Sequence, residues 1–244
     1  MDITDFLNIL KQASGENNIT HLIDDEKSDI LYNFSEFLLS ENEKYNLTAI
    51  RDTTGIIYKH FVDSLLIADH IPLNSKVIDI GCGAGFPSLP LAIVRRDLKV
   101  TSLDSANKKV NFVGMCIEKF GLQNASAVCA RAEELAHSKD YREKYDIALT
   151  RAVSAFPVVT ELSVGFLKVG GQALIMKGRE GDKEFDTSPV FRQILNIESD
   201  PIIFYDLKIQ DLHEARTLLK IKKLGKTPDN FPRNYAQITK KPLK

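Results

Sequence analysis

The segment Val77-Ile78-Asp79-Ile80-Gly81-Cys82-Gly83-Ala84-Gly85 is an apolar run that carries an acid and breaks at once into three alternate glycines. A short apolar run closed by glycine reads as a buried strand entering a tight turn. Residues without a Cβ let the backbone approach a ligand lying across the carboxyl end of a parallel strand. Asp79, Gly81, Gly83 and Gly85 are therefore candidates to cradle a nucleotide-like cofactor.

The spacing separates two cofactor classes. A dinucleotide fingerprint, G-x-G-x-x-G, needs glycine at 86 or at 88, and the chain has Phe86 and Ser88 there. A methyltransferase loop instead carries an acid two residues before the first glycine, which Asp79 satisfies, so the loop points to S-adenosylmethionine. A plain βα turn is the alternative. The next apolar run, Lys99 to Asp104, ends in an acid about 20 residues beyond the loop, where a carboxylate can accept both ribose hydroxyls. Asp104 is thus the candidate ribose ligand, with Ser105 beside it; an amino-terminal cap of the helix beginning near Asn107 is the other reading. Arg131-Ala132-Glu133-Glu134 follows the third strand and places an acid and a backbone amide where an adenine would lie. Acids there also suit a helix amino terminus.

On the acceptor side, Thr150-Arg151-Ala152-Val153 follows the fourth strand and lacks the prolines and aromatic with which amino-group methyltransferases hold an exocyclic nitrogen. Cys82 lies in the glycine loop and Cys129 within a strand, so neither forms a Pro-Cys pair for covalent attack on a pyrimidine. A guanine N7 acceptor explains both absences. Its in-plane lone pair needs alignment and exclusion of water, with no general base and no nucleophile. Arg151 suits the positioning role, because a guanidinium donates to phosphate, guanine O6 or a carboxylate; a structural ion pair is the alternative. Lys177 and Arg179 follow the fifth strand and could hold a phosphate backbone, or simply form a solvated loop. His60 and Asp63, three apart, share a helical face and read as a hydrogen-bonded pair fixing that helix to the sheet, lining the site or touching RNA being the alternative.

These residues need a scaffold, and the hydrophobic pattern supplies one. Residues 1–70 read as helices, with Ile30, Leu31, Phe34, Phe37 and Leu38 at helical spacing and a third helix from about Thr53 to Asp69. Strands at 76–80, 99–103, 126–129, 146–150 and 172–176 then alternate with helices at 87–96, 107–120 and 157–167. Segments 201–205 and 216–221 read as strands with no crossover helix between them. The expected fold is α/β: a doubly wound, Rossmann-like sheet, mostly parallel with an antiparallel edge. A helical extension over 1–72 precedes a methyltransferase domain over 73–244.

With 244 residues, 43% of them hydrophobic, the chain can bury one large core. It has no run of 18 apolar residues and an acidic beginning, so a cytoplasmic protein away from membranes is expected. Three cysteines without C-x-x-C spacing argue against a disulfide framework and a metal site. The net charge of −1 conceals an uneven distribution, because residues 214–244 hold nine Lys or Arg against two acids. That basic tail, with Lys222, Lys223, Lys226, Arg233, Lys240 and Lys241, is expected to be an RNA footprint, a solvated charged end being the alternative. No long exposed apolar helix demands a partner, which fits a monomer.

Several motifs together resemble a known family. They are Asn46-Leu47-Thr48-Ala49-Ile50, Lys59-His60-Phe61-Val62-Asp63-Ser64-Leu65, Asp79 through Ile93, Leu103-Asp104-Ser105, Lys108-Lys109-Val110-Asn111-Phe112 and Thr150-Arg151-Ala152. This set resembles the bacterial small-subunit ribosomal RNA methyltransferase G family, also called glucose-inhibited division protein B, closely over roughly 40–180. The resemblance implies methyl transfer from S-adenosylmethionine to N7 of one guanosine in 16S ribosomal RNA, with free RNA or the small ribosomal subunit as partner. It also implies cofactor contacts at Gly81, Phe86, Ala132, Glu133 and Arg151. Two positions depart from the family: Ser88 replaces a usual glycine, and the segment Pro232 to Ile238 lacks the family's Gly and Pro. The competing readings are a methyltransferase of a small molecule or protein and a non-catalytic RNA-binding assembly factor.

Overall fold

The computed structural model describes residues 1–184 and 189–243. Helix α1 (Ile3–Glu16) is capped by Asp2, which accepts from the Asp5 amide at 2.9 Å, and α2 (Asp25–Tyr45) by Asp24 in the same way. Phe6, Leu10 and Ala13 of α1 and Leu31, Phe34 and Leu38 of α2 are buried, as their helical spacing requires. The helix predicted from Thr53 to Asp69 is shorter and irregular. It runs as α3 (Thr53–Ile56), a π-helical turn (Ile57–Val62) and α4 (Asp63–Leu65), followed by a 3₁₀ turn at Ala68–His70. Ile57, Tyr58, His60, Phe61, Val62 and Asp63 are all buried, so this element packs on nearly every side.

The sheet comprises β1 (Lys76–Ile80), β2 (Lys99–Asp104), β3 (Ala125–Cys129), β4 (Tyr145–Arg151), β5 (Leu167–Lys177), β6 (Ile197–Ser199), β7 (Ile203–Ile209) and β8 (Leu212–Lys223). Its order is β3-β2-β1-β4-β5-β8, with β6 and β7 both paired to β8. Strands β1 to β5 are parallel; β8 runs antiparallel to β5, β6 and β7. The crossovers between parallel strands use α5 (Ser88–Val94), α6 (Asn107–Lys119), α7 (Ala132–Leu135) and α8 (Phe156–Val164); α9 (Pro189–Leu195) leads into β6 and α10 (Tyr235–Lys240) follows β8. The expected antiparallel edge is present and larger than the two expected segments.

Strand alternation sends side chains to two cores. Val77, Leu149 and Leu174 face one that also contains Phe6, Phe34, Phe61 and Phe112, whereas Ile78, Ala148 and Ile175 face another with Phe156 and Phe191. The amino-terminal helices share the first core with the sheet, so 1–72 and 73–244 pack as one body. Asn17 makes the same point in polar terms: its side-chain amide donates to Lys208 O and accepts from Lys208 N, each at 2.9 Å, pairing with β7 as a strand would.

Candidate cofactor and acceptor site

The glycine loop leaves β1 and is pinned by β2, since the amides of Gly81 and Cys82 both donate to Leu103 O, at 2.7 and 3.0 Å. Gly81 has φ +74°, and a Cβ there would meet Val153 Cγ2 at 2.8 Å. Glycine is thus required both by the turn and by the loop after β4. Asp79 is fully buried beneath the loop; its Oδ2 accepts from the Ser88 amide at 3.2 Å and its Oδ1 has no partner. Burial pushes its carboxyl up to about 7. Ser88 is fully buried at the start of α5, with its Oγ unpartnered.

Asp104 ends β2. Its Oδ2 accepts from Gly83 N at 3.0 Å and its Oδ1 from Ala106 N at 2.9 Å, an Asx turn in place of the helix cap; the cap position of α6 is Ala106. Each carboxylate oxygen has a second lone pair for a ligand hydroxyl. Above these strand ends lies a cavity of about 270 Å³ lined by Gly81, Asp104, Ser105, Lys109, Ala130, Arg131, Ala132, Glu133, Ala152, Val153, Leu162 and Tyr235, among others. Glu133 is 9% exposed and accepts from Arg131 Nε at 3.1 Å.

A second cavity, of about 310 Å³, shares Ala152 with the first. Lys59, Asp63, Arg151, Met176, Lys177, Gly178 and Arg216 complete its wall. Ala152 has φ +54°, a left-handed conformation costly for a residue with a Cβ, at the point where β4 delivers Arg151 to one cavity and Val153 to the other. Arg151 Nη1 donates to Asp63 Oδ2 at 3.0 Å and to Lys59 O at 3.1 Å, and Nη2 reaches His60 Nδ1 at 3.2 Å. Because a guanidinium only donates, Nδ1 must accept, and His60 Nε2 carries the proton toward Thr48 Oγ1 at 2.8 Å. Burial first, then the charge of Arg151, lowers His60 to about 3, so the ring stays neutral. His60 and Asp63 are therefore not bonded to each other, as their spacing suggested. Both hold the same guanidinium. Arg216 of β8 completes the arrangement by donating from Nε to Asp63 Oδ1 at 2.8 Å and from Nη2 to Glu214 Oε2 at 2.9 Å.

The family model described as rRNA small subunit methyltransferase G matches residues 27–212. A ribosomal RNA small subunit methyltransferase G of Acetivibrio thermocellus is 41% identical over 222 residues, covering 91% of this chain and 90% of the relative. The chain belongs to this family. Its enzyme class is methyltransferase. A second member, from Clostridium botulinum, is 36% identical over 242 residues, or 98% of this chain and 100% of the relative. Among solved structures, the O-methyltransferase from Bacillus cereus in complex with SAH superposes with a TM-score of 0.55 at 16% identity, over 91% of this chain and 100% of that one. TYW2 of M. jannaschii in complex with AdoMet gives 0.51 at 13%, over 66% and 75%. Both show that this is the methyltransferase fold.

Within this family frame, the structure gathers Gly81, Asp104, Ser105, Ala132 and Glu133 into one cavity and Arg151 and Lys177 into the adjoining one. Gly83, Asp79 and Gly85 do not line the first: Gly83 donates to Asp104 from outside the wall, and Asp79 and Gly85 are buried. The Phe86 ring stacks on His60 with centroids 4.2 Å apart and on Phe34 at 5.5 Å, inside the core. That leaves its backbone for any cofactor contact.

Two expected RNA contacts are corrected. Lys223 is fully buried, its Nζ bound to Glu143 Oε1 at 2.6 Å, Leu167 O at 2.7 Å and Val164 O at 2.9 Å. Arg233 is locked onto the buried Glu161, donating from Nε at 2.9 Å and from Nη2 at 2.6 Å. Lys222 pairs in register with Gln172, at the amino-terminal end of the parallel strands and so opposite the site. Arg179, Lys226, Lys240 and Lys241 are exposed. Sequence reasoning missed Lys59, Ala152, Arg216 and Tyr235. The alternation within β8 contains Arg216, but nothing local marks which end of the sheet it reaches.

Proposed function

We propose that the chain transfers a methyl group from S-adenosylmethionine to N7 of a guanosine in 16S ribosomal RNA. The observation that carries this reading is the pair of adjoining cavities that share Ala152, one bearing Asp104 and Glu133 and the other bearing Lys59, Arg151, Lys177 and Arg216. The first fits the cofactor: Asp104 has free lone pairs for the ribose hydroxyls, Glu133 stands where the adenine amino group would lie, and Gly81 keeps the floor low. When bound, S-adenosylmethionine supplies an electrophilic methyl on a sulfonium, and methyl transfer to the N7 lone pair leaves a neutral thioether and a cationic purine.

The residues around the second cavity position and shield. Arg151 is immobilised by Asp63, His60 and the Lys59 carbonyl, so its remaining donor capacity is presented in a fixed direction at the junction of the two cavities. Lys177, which ends β5 and donates from Nζ to Ser154 O, and the exposed Arg179 just beyond it would meet the phosphates that flank the base. Neutral His60 is enclosed between Thr48 and Phe86 and serves the scaffold, consistent with an acceptor nitrogen that has no proton to lose.

The deciding experiment incubates the protein with methyl-labelled S-adenosylmethionine and small ribosomal subunits lacking their own modification, then identifies the labelled nucleoside by mass spectrometry. Labelled 7-methylguanosine is expected. Cofactor binding without label in RNA would redirect the search to protein or small-molecule acceptors.

A further inference from the structure

We propose that the carboxyl-terminal segment 227–243 is a wall of the cofactor cleft rather than an arm for RNA, with Tyr235 as the aromatic contact at the adenine end. The inference rests on the cofactor seat proposed above. Tyr235 lines the same cavity as Asp104, Ala132 and Glu133, and it stands next to Leu162 of α8. The guanidinium carbon of Arg131 lies 4.8 Å from the centre of its ring, while Arg131 Nε is tied to Glu133. A flat ring backed by a guanidinium, beside the acid that follows β3, is a surface that suits a purine face.

The segment is fastened independently of Tyr235. Arg142 donates to Thr227 O at 3.0 Å and to Phe231 O at 2.9 Å, and His137 Nε2 reaches Pro232 O at 2.8 Å. Arg233 grips Glu161, Asn234 caps α10 by accepting from Gln237 N at 3.0 Å, and Ile238 is buried against Val158 and Leu162. The ring is therefore held at the rim in advance, and binding need not order the segment. Three of the nine basic residues that suggested an RNA footprint, Arg216, Lys223 and Arg233, are spent on internal carboxylates, and Arg233 is itself part of the fastening. This wall lies beyond residue 212, where the match to the family model ends, and it includes α10.

The test measures the dissociation constant of S-adenosylhomocysteine by calorimetry and the KM for small ribosomal subunits at saturating cofactor, in Tyr235→Ala, Tyr235→Leu, Tyr235→Phe and the double variant Lys240→Glu/Lys241→Glu. Tyr235→Ala and Tyr235→Leu are expected to weaken S-adenosylhomocysteine about tenfold with an unchanged KM for subunits, and Tyr235→Phe to bind as the unaltered protein does. The double variant is expected to change neither quantity. Unchanged affinity in Tyr235→Leu with an unchanged melting temperature would overturn the role of Tyr235. A raised subunit KM in the double variant would restore the segment as an RNA arm. Absence of binding by the unaltered protein would instead overturn the cofactor seat, and this inference with it.

Discussion

Arg151 and Asp63 meet at 3.0 Å, and that contact ties the end of the fourth parallel strand to the helical extension in the wall of the second cavity. Asp63 is 6% exposed and holds Arg216 as well, so one carboxylate bridges guanidinium groups from β4 and β8, with Glu214 supplying Arg216 a second carboxylate.

Arg151→Ala should therefore carry two losses. Removing one partner from this buried set should destabilise the protein by about 2–3 kcal/mol in urea unfolding. Methyl transfer should fall roughly a hundredfold at saturating cofactor, as expected for a lost positioning contact. Transfer that declines only in step with the folded fraction would reduce Arg151 to a strut.

Asp104→Ala should weaken S-adenosylhomocysteine by about 10- to 100-fold, the worth of one or two charge-assisted hydrogen bonds. The Gly83 and Ala106 amides also lose their acceptor, so a modest drop in melting temperature should accompany it. A dissociation constant equal to that of the unaltered protein would remove Asp104 from the cofactor seat.

Asp79 makes stability depend on pH. Its carboxyl titrates at about 7 when folded, against an ordinary 3.8, so between these values the folded state holds a proton that the unfolded chain has released. Stability contributed by this group is present below 3.8, is lost as pH rises toward 7, and stays low above it. Asp79→Asn should consequently raise unfolding free energy in urea more at pH 8 than at pH 5, by a difference of about 3 kcal/mol. Equal gains at both pH values would show that the buried carboxyl is not the cause.

Lys223→Met keeps the apolar stem and deletes the ammonium that Glu143, Val164 and Leu167 share. A loss of about 1–3 kcal/mol in stability is expected, with the KM for ribosomal subunits within about twofold of the original. An RNA-specific defect in a fully folded variant would return Lys223 to the RNA surface.

Much of the parallel sheet is legible in the chain because each of its strands is a short apolar run closed by a turn or an acid, as in Val77–Ile80 and Val100–Asp104. The loop and Asp104 follow from spacing alone, since they adjoin those strands. Strand β5 was expected to begin at residue 172, yet it starts at Leu167; Gly170, at φ +87°, sits in a bulge where the register with β4 shifts. The hairpin between β7 and β8 turns at Gln210 with φ +54°, so no Gly or Asn announces it. Arg216 stayed hidden for that reason, because its reach to Asp63 depends on where the hairpin begins. Lys223 and Arg233 misled for another. Counting charge along a chain cannot separate cations that meet water from cations that meet buried carboxylates.

Asn17 and Lys208, joined side chain to backbone, are 191 positions apart. On a ribosome adding about 5–20 residues per second, the first helix would emerge on the order of ten to forty seconds before the strand it pairs with. During that interval the amphipathic faces of α1 and α2 would have no sheet to cover them, which makes the early nascent chain a natural client for a chaperone until its last strands arrive.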